Sequence, residues 1–304
     1  MEKIIEEKLP ENLINKIINQ YGEELSNKIF NAYCSKKNVS LRVNSLKSNK
    51  EEVIKFFEDN KIEYEQVSWY GDAFVLKNVS ESDLEKTVFY EEGKIYLQNL
   101  SSMLPPLVLE PKEKKDILDM TAAPGGKTTE IAALTNNLAY ITACEMNKIR
   151  ADRLRYNLNK QGANAFVIEK DARNLDDFLK YDQILLDAPC SGSGTIVLTE
   201  ESENVRFTEG FEEKLEKVQT KLLAKAITLL KKGEEMVYST CSILERENEN
   251  IVNKFISQGK VEVVPFDEDR FKDIKLLPCK IKGAMCVMPN ENFEGFFAVK
   301  LRKK

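Results

Sequence analysis

The spacing of apolar residues changes period several times along the chain. From Pro10 to about Cys34, residues Leu13, Ile14, Ile17, Ile18, Tyr21, Leu25, Ile29 and Phe30 recur at helical spacing and predict one or two amphipathic helices covering a core. Residues 40–44 read as a short strand, 49–60 as a helix, and 62–69 and 73–76 as two further strands. Together they describe a compact α/β unit. Residues 94–106 run from a strand towards a helix that ends near Glu110-Pro111, and a domain boundary is expected near residue 90. This gives a smaller unit, 1–90, and a larger one, 91–304.

The larger unit alternates strand and helix. Strands are expected at 116–120, 139–144 and 165–168 and up to Asp187, with helices starting near Gly126 and spanning 148–162, where Leu154 and Leu158 face inward. Leu215, Val218, Leu222, Leu223, Ala226, Leu229 and Leu230 mark a long helix over 211–232, ended by Gly233. A strand at 235–242, a helix at 247–255 and an antiparallel edge pair at 261–265 and 293–301 complete the pattern. It is that of an α/β fold with a mostly parallel, doubly wound sheet.

In such sheets ligands bind beyond the carboxyl ends of the strands, and there the sequence places its chemistry. Each strand of the run ends in an acid: Asp119, Glu145, Asp171 and Asp187. One would be an ordinary turn residue, but four in register fit a ligand with ribose hydroxyls, an adenine amine and a cationic centre. Glu145 lies about 20 residues beyond the first loop, where doubly wound folds set an acid against ribose. That loop, Thr121-Ala122-Ala123-Pro124-Gly125-Gly126-Lys127, is small enough for close backbone approach, and the free N–H groups of the following helix favour an anion. A phosphate-binding P-loop would need glycine at position 121, which is Thr121. The adjacent glycines favour a single carboxylate over a polyphosphate. Two thiols reach the same edge, Cys190 in Asp187-Ala-Pro-Cys-Ser-Gly192 and Cys241 in Tyr238-Ser-Thr-Cys-Ser242, although either alone is more commonly a core or turn thiol.

Composition narrows the chemistry further. Among 304 residues there is no histidine, which excludes Ser-His-Asp and Cys-His catalysis and His-ligated metals. Proton transfer falls to Asp, Glu, Lys, Tyr or Cys. Cys34, Cys144, Cys190, Cys241, Cys279 and Cys286 show no CxxC spacing, so neither a metal site nor a disulfide framework is expected. The charged start of the chain and the lack of a long apolar run lead to the expectation of a cytoplasmic protein without membrane association. A net charge of -5 argues against a protein that coats nucleic acid, while a local basic face remains available at Lys272, Lys275, Lys280, Lys282, Lys300, Arg302, Lys303 and Lys304.

The motifs Leu118-Asp-Met-Thr-Ala-Ala-Pro-Gly-Gly-Lys127, Asp187-Ala-Pro-Cys-Ser-Gly192 and Tyr238-Ser-Thr-Cys-Ser242, taken in order, resemble the Sun-type RNA cytosine-C5 methyltransferases. Leu41-Arg-Val-Asn44, Gln98-Asn-Leu-Ser-Ser-Met103 and Glu294-Gly-Phe-Phe-Ala-Val-Lys-Leu301 are similar to the same family, so the resemblance spans about residues 40–302. One departure is Thr121, where the family usually has Cys. The resemblance implies a class I, Rossmann-like methyltransferase fold, S-adenosylmethionine as cofactor, and RNA, tRNA or rRNA, as partner. It assigns nucleophilic attack on cytosine C6 to Cys241 and product release to Cys190. Asp187 would stabilise charge on the ring if suitably protonated, and Lys127 would orient the base or lower a thiol pKa. The cofactor would lie on Thr121, Ala122, Ala123, Pro124, Gly125, Gly126 and Lys127, with Glu145 on the ribose, Asp171 near the adenine, Arg150 supporting that acid, and Asp187 at the reacting end. The shorter archaeal-type tRNA enzymes are nearest in size. The target cytidine would be single-stranded or flipped out, with residues 1–90 and the basic C-terminal segment as RNA platform. A non-catalytic RNA-binding factor with the same fold is the alternative, and an ATPase a weaker third. DNA cytosine methyltransferases, whose nucleophile is the Pro-Cys thiol, also carry a Glu-Asn-Val motif that does not occur here.

Overall fold

The computed structural model describes residues 2–304. Helices α1 (Glu2–Lys8) and α2 (Glu11–Tyr33) come first, and α2 bends at Gly22, whose φ of 75° lies in the left-handed region. The apolar stripe of α2 does not cover the small unit that follows it. Leu13, Ile17, Tyr21, Ile29, Phe30 and Tyr33 share one core with Ile184 and Leu186 of the large sheet.

The small sheet is antiparallel and combines β1 (Val39–Val43), β2 (Tyr64–Gln66), β3 (Ala73–Leu76) and β4 (Ile95–Leu97) in the order β2-β3-β1-β4. Helix α3 (Lys50–Asp59) starts at Asn49, whose side chain accepts from the Glu52 amide. The short α4 (Glu81–Leu84) and α5 (Val88–Glu91) lead into β4. Alternation along β1 sends Leu41 and Val43 into this unit's core with Phe57 and Phe74. Arg42, between them, reaches the other way into the large unit.

Helix α6 (Leu100–Leu109) contains Pro105 and Pro106. Pro106 cannot donate to Ser102, and that carbonyl is taken by Gln98 Nε2 at 3.0 Å. The large unit then runs β5 (Asp116–Asp119), α7 (Gly126–Leu134), β6 (Tyr140–Glu145), α8 (Lys148–Gln161), β7 (Phe166–Glu169), β8 (Tyr181–Asp187), α9 (Glu209–Leu229), β9 (Leu230–Thr240), α10 (Glu249–Ser257), β10 (Val261–Val264), β11 (Met285–Val287) and β12 (Phe296–Lys303). Strand order is β10-β12-β9-β8-β5-β6-β7, with β11 added onto β12. The central strands are parallel, whereas β10, β11 and β12 run antiparallel. From β5 the chain winds outward through β6 and β7, then returns to β8 on the other flank. The reversal opens a crevice beside β5 and β8.

The sequence pattern misplaces one boundary. Gly233 does not end α9: the helix stops at Leu229, Leu230 is already extended, and Gly233 at φ 80° sits inside β9, where the register with β8 shifts. The expected antiparallel edge pair is present as β10 and β12, with β12 the inner member. Strand β12 is paired by β9 and β10 on its two sides, and its run Phe296–Leu301 is buried. A strand this long and apolar would expose a row of pairing groups at a rim. The three-residue β11 carried no recognisable signal.

Candidate functional site

The crevice begins at the loop after β5. Gly125 adopts φ 113°, and a Cβ there would stand 3.0 Å from Leu154 Cδ1, so this bend requires glycine. Ala122 and Ala123 are buried with Leu154 and Leu158, anchoring the loop to α8. Asp119 is 1% exposed and turns to α7, accepting from Thr128 Oγ1 at 2.7 Å. Burial pushes its pKa up to about 6, against the lowering effect of that hydrogen bond. It shapes the loop and does not line the cavity.

That cavity, 330 Å³ in volume, is bordered by Thr121, Ala123, Glu145, Arg150, Asp171, Asp187, Cys190 and Cys241 among the residues expected from sequence. Ala122, Pro124, Gly125, Gly126 and Lys127 stand outside its lining. Glu145 is 4% exposed and accepts from the Asn147 amide at 2.9 Å. Arg150 does not support Asp171: one of its nitrogens donates to the Ala123 carbonyl at 2.9 Å and another lies 3.6 Å from Glu145. Asp171 is held instead by Arg173, through bonds of 2.9, 3.0 and 2.5 Å. The Arg173 hydrogen bonds hold the carboxyl below its usual range. Arg173 escaped the sequence reading because it follows Asp171 by two residues, and only the tight turn over Ala172–Asn174 folds it back.

At the other end stand the thiols. Cys190 Sγ and Cys241 Sγ are 3.2 Å apart. The hydrogen bond shared with Cys241 raises the Cys190 pKa most, followed by burial and the charges of Cys241 and Glu247. Lys127 Nζ lies 2.7 Å from Asp187 Oδ2 and 5.7 Å from the centre of the Phe296 ring. Burial alone would lower the Lys127 pKa, but Asp187, with smaller contributions from Asp119 and Cys241, lifts it above its ordinary value. The second Asp187 oxygen accepts from Ser239 Oγ at 2.7 Å, a partner not anticipated from sequence.

Backbone contacts lock the two thiol loops. The Gly194 amide donates to the Cys241 carbonyl at 3.0 Å, and the Gly295 amide to the Gly194 carbonyl at 2.8 Å. A Cβ on Gly194 would fall 1.9 Å from Gly295 O, so the chains meet at glycine on both sides. Helix α2 braces the assembly from behind. Tyr33 donates to the Ser193 carbonyl and Tyr21 to the Ile243 carbonyl, each at 2.5 Å.

The basic C-terminal segment is not one open face. Lys280 pairs with Glu245, Lys300 with Glu110 and Glu235 at 2.6 and 3.1 Å, Arg302 with Glu235 at 2.6 Å and Lys304 with Glu262 at 3.7 Å. Among the described residues, no helix is long and apolar enough to cross a membrane.

A seven-strand core in this order, with a glycine loop after its first central strand and an acid ending each neighbour, defines a class I, Rossmann-like methyltransferase fold. The 16S rRNA methyltransferase RsmB/F description matches residues 106–302, and the RsmF/B-like ferredoxin-like domain matches residues 9–81. The chain belongs to the RsmB/F family. It is 36% identical to ribosomal RNA small subunit methyltransferase F of Shewanella loihica over 80% of this chain and 52% of the relative. It is 30% identical to the probable ribosomal RNA small subunit methyltransferase B of Bacillus subtilis over 97% of this chain and 66% of the relative. The chain thus spans about half to two thirds of these relatives' length. A solved methyltransferase homologue from Pyrococcus horikoshii superimposes with a TM-score of 0.82 at 30% identity, covering 97% of this chain and 100% of that one.

Proposed function

We propose that the protein is an RNA cytosine-C5 methyltransferase that uses S-adenosylmethionine and passes through a covalent bond between Cys241 and cytosine C6. The observation that carries this reading is the pair of thiols 3.2 Å apart at one end of an acid-lined cavity, beside a half-buried Lys127–Asp187 pair. The cavity suits the cofactor chemically. Asp171 and Glu145 offer acceptors for an adenine amine and ribose hydroxyls, and Asp187 answers a cationic sulfur. When bound, S-adenosylmethionine supplies a methyl group on a sulfonium centre.

The protein's own groups prepare the base. Cytosine C5 is a weak nucleophile, so Cys241 first adds as thiolate to C6; the new S–C6 bond pushes the C5=C6 electrons into the ring and makes C5 enamine-like. Asp187 accepts from the exocyclic amine, while the Lys127 cation stabilises negative charge on the ring. After C5 is methylated, its proton leaves, the C5=C6 bond re-forms, and Cys241 departs as thiolate. The hydrogen bond shared with Cys241 is the first of the causes that raise the Cys190 pKa, ahead of burial and the Glu247 charge. Once Cys241 is a thioether that cause is gone; Cys190 gives its proton to water and, as thiolate, takes the C5 proton directly or through water.

The relatives' names favour small-subunit ribosomal RNA as substrate. The cytidine must leave any stack to reach the crevice. Residues 1–90, whose sheet is completed by Ile95–Leu97, form the RNA-docking side in this reading, and the remainder of the chain is catalytic. To test it, Cys190→Ala and Cys241→Ala proteins are expressed with cellular RNA and run on denaturing gels. Cys190→Ala is expected to accumulate a protein–RNA adduct, and Cys241→Ala to give neither adduct nor 5-methylcytidine. An adduct on Cys241→Ala alone reverses the thiol roles, and absence of both adducts removes the covalent route.

A further inference from the structure

Glu247 is 0% exposed, yet among the described residues no cation lies within 4.0 Å of its carboxylate, and it does not line the cavity. A buried carboxylate without a counter-ion costs free energy unless hydrogen bonds satisfy it. Here four donors do so. Oε1 accepts from the Ser191 amide at 2.8 Å and from Gln219 Nε2 at 3.1 Å. Oε2 accepts from Ser191 Oγ at 2.5 Å and from Ser242 Oγ at 2.6 Å. Ser191 directly follows Cys190, and Ser242 directly follows Cys241. Gln219, on α9, also donates to the Pro189 carbonyl at 3.0 Å, closing the ring on the residue before Cys190. The Glu247 backbone is fixed in turn by Tyr238, whose hydroxyl donates to its carbonyl at 2.7 Å.

We propose that Glu247 is the positioning residue of the thiol pair: one carboxylate grips the residue after each cysteine and so sets the two sulfurs face to face. The inference rests on the two-thiol reading of the site for its functional meaning, but its geometry stands without it. A carboxylate suits the position because it accepts from four donors and brings none of its own, whereas an amide offers one acceptor oxygen. The Cys190 loop needs such a grip. Its Ser-Gly-Ser-Gly sequence has little apolar surface to pack, and Gly192 sits at φ 72°. The charge also acts on the chemistry, since Glu247 is among the groups that raise the Cys190 pKa.

The test reads sulfur geometry directly, on the full chain without RNA or cofactor. Dibromobimane, whose two bromides are each displaced by a thiolate, becomes fluorescent when one molecule bridges two thiols; peptide mapping confirms the Cys190–Cys241 link. In Glu247→Ala the bridging rate is expected to fall at least about tenfold, with Glu247→Gln between that variant and the parent. Glu247→Gln should also shift the pH profile of Cys190 alkylation to lower pH, because a negative charge near the thiol is gone. If Glu247→Ala fails to fold, the Ser191→Ala/Ser242→Ala double variant decides, with an expected loss of at least about threefold. Circular dichroism and thermal melting establish that each variant compared is folded. Bridging at the parent rate in folded Glu247→Ala or the double-serine variant overturns the proposal, because a merely structural role moves the melting temperature alone. Lost bridging supports it even where no methyl reaches RNA, so failure of the functional reading remains separable.

Discussion

Cys190 and Cys241 are 51 residues apart in sequence and 3.2 Å apart in space. Their loops could be placed at one sheet edge from sequence because each follows an apolar strand, and the positions of Glu145, Asp171 and Asp187 were legible for the same reason, whereas Asp119 turns away to Thr128. What pattern alone could not show is which cation serves which acid, since that depends on rotamers and turns. Arg150 follows Glu145 on the opening turn of α8 and stays with it, while Arg173 curls back onto Asp171. In the proposed reading, Arg173→Ala should therefore weaken S-adenosylmethionine binding by about tenfold, because Asp171 loses the bonds that orient it. Isothermal titration against the parent protein checks this, and unchanged affinity would remove Asp171 from the adenine end.

Among the elements, the motifs with polar residues inside strands or loops proved to be joints. In Leu41-Arg-Val-Asn44 the apolar pair fills the small core. Arg42 Nη2 donates to Thr129 Oγ1 at 2.6 Å and to the Gly126 carbonyl at 3.1 Å, and Asn44 Nδ2 to the Gly93 and Gln161 carbonyls, each at 2.8 Å. A period-two pattern reveals that β1 has two faces, but not that its polar face meets the start of α7. The same limit hid the role of α2, whose stripe reads as core-covering while its tyrosines hold the loops that carry the two thiols. The Gly194–Gly295 crossing is the tightest of these joints. Gly194→Ala should lower unfolding free energy by about 3 kcal/mol, because a Cβ 1.9 Å from a carbonyl oxygen forces two loops apart. Urea unfolding measures the loss, and a change below about 0.5 kcal/mol would show that the loops separate freely.

Across the whole molecule, the joint between the sheets carries a titratable group that the site does not use. Glu130 is 0% exposed and meets Gln98 Nε2 at 3.3 Å; burial pushes its pKa from 4.5 up to about 8, with Arg42 acting in the opposite direction. A raised carboxyl pKa means that the folded state holds the proton more tightly than the unfolded chain. Its stabilising contribution is full below about pH 4.5 and is lost as pH rises through about 8. The melting temperature should fall by a few degrees across that window, and Glu130→Gln should flatten the slope. Calorimetric scans from pH 5 to pH 8 on both proteins test the assignment; equal slopes would place the pH dependence elsewhere.

The bracing of the thiol loops also has a consequence for how the protein comes into being. Tyr21 reaches across 222 positions to Ile243, Tyr33 across 160 to Ser193, and Gly194 waits for Gly295. Such distant pairings form late in folding, because long loops must close before they are rewarded. A nascent chain that has emerged only as far as Cys241 lacks β12 and the glycine that locks the Cys190 loop. The thiol pair is therefore completed after nearly all of these residues have left the ribosome, and a half-made chain carries both cysteines without the contacts that hold their loops in place.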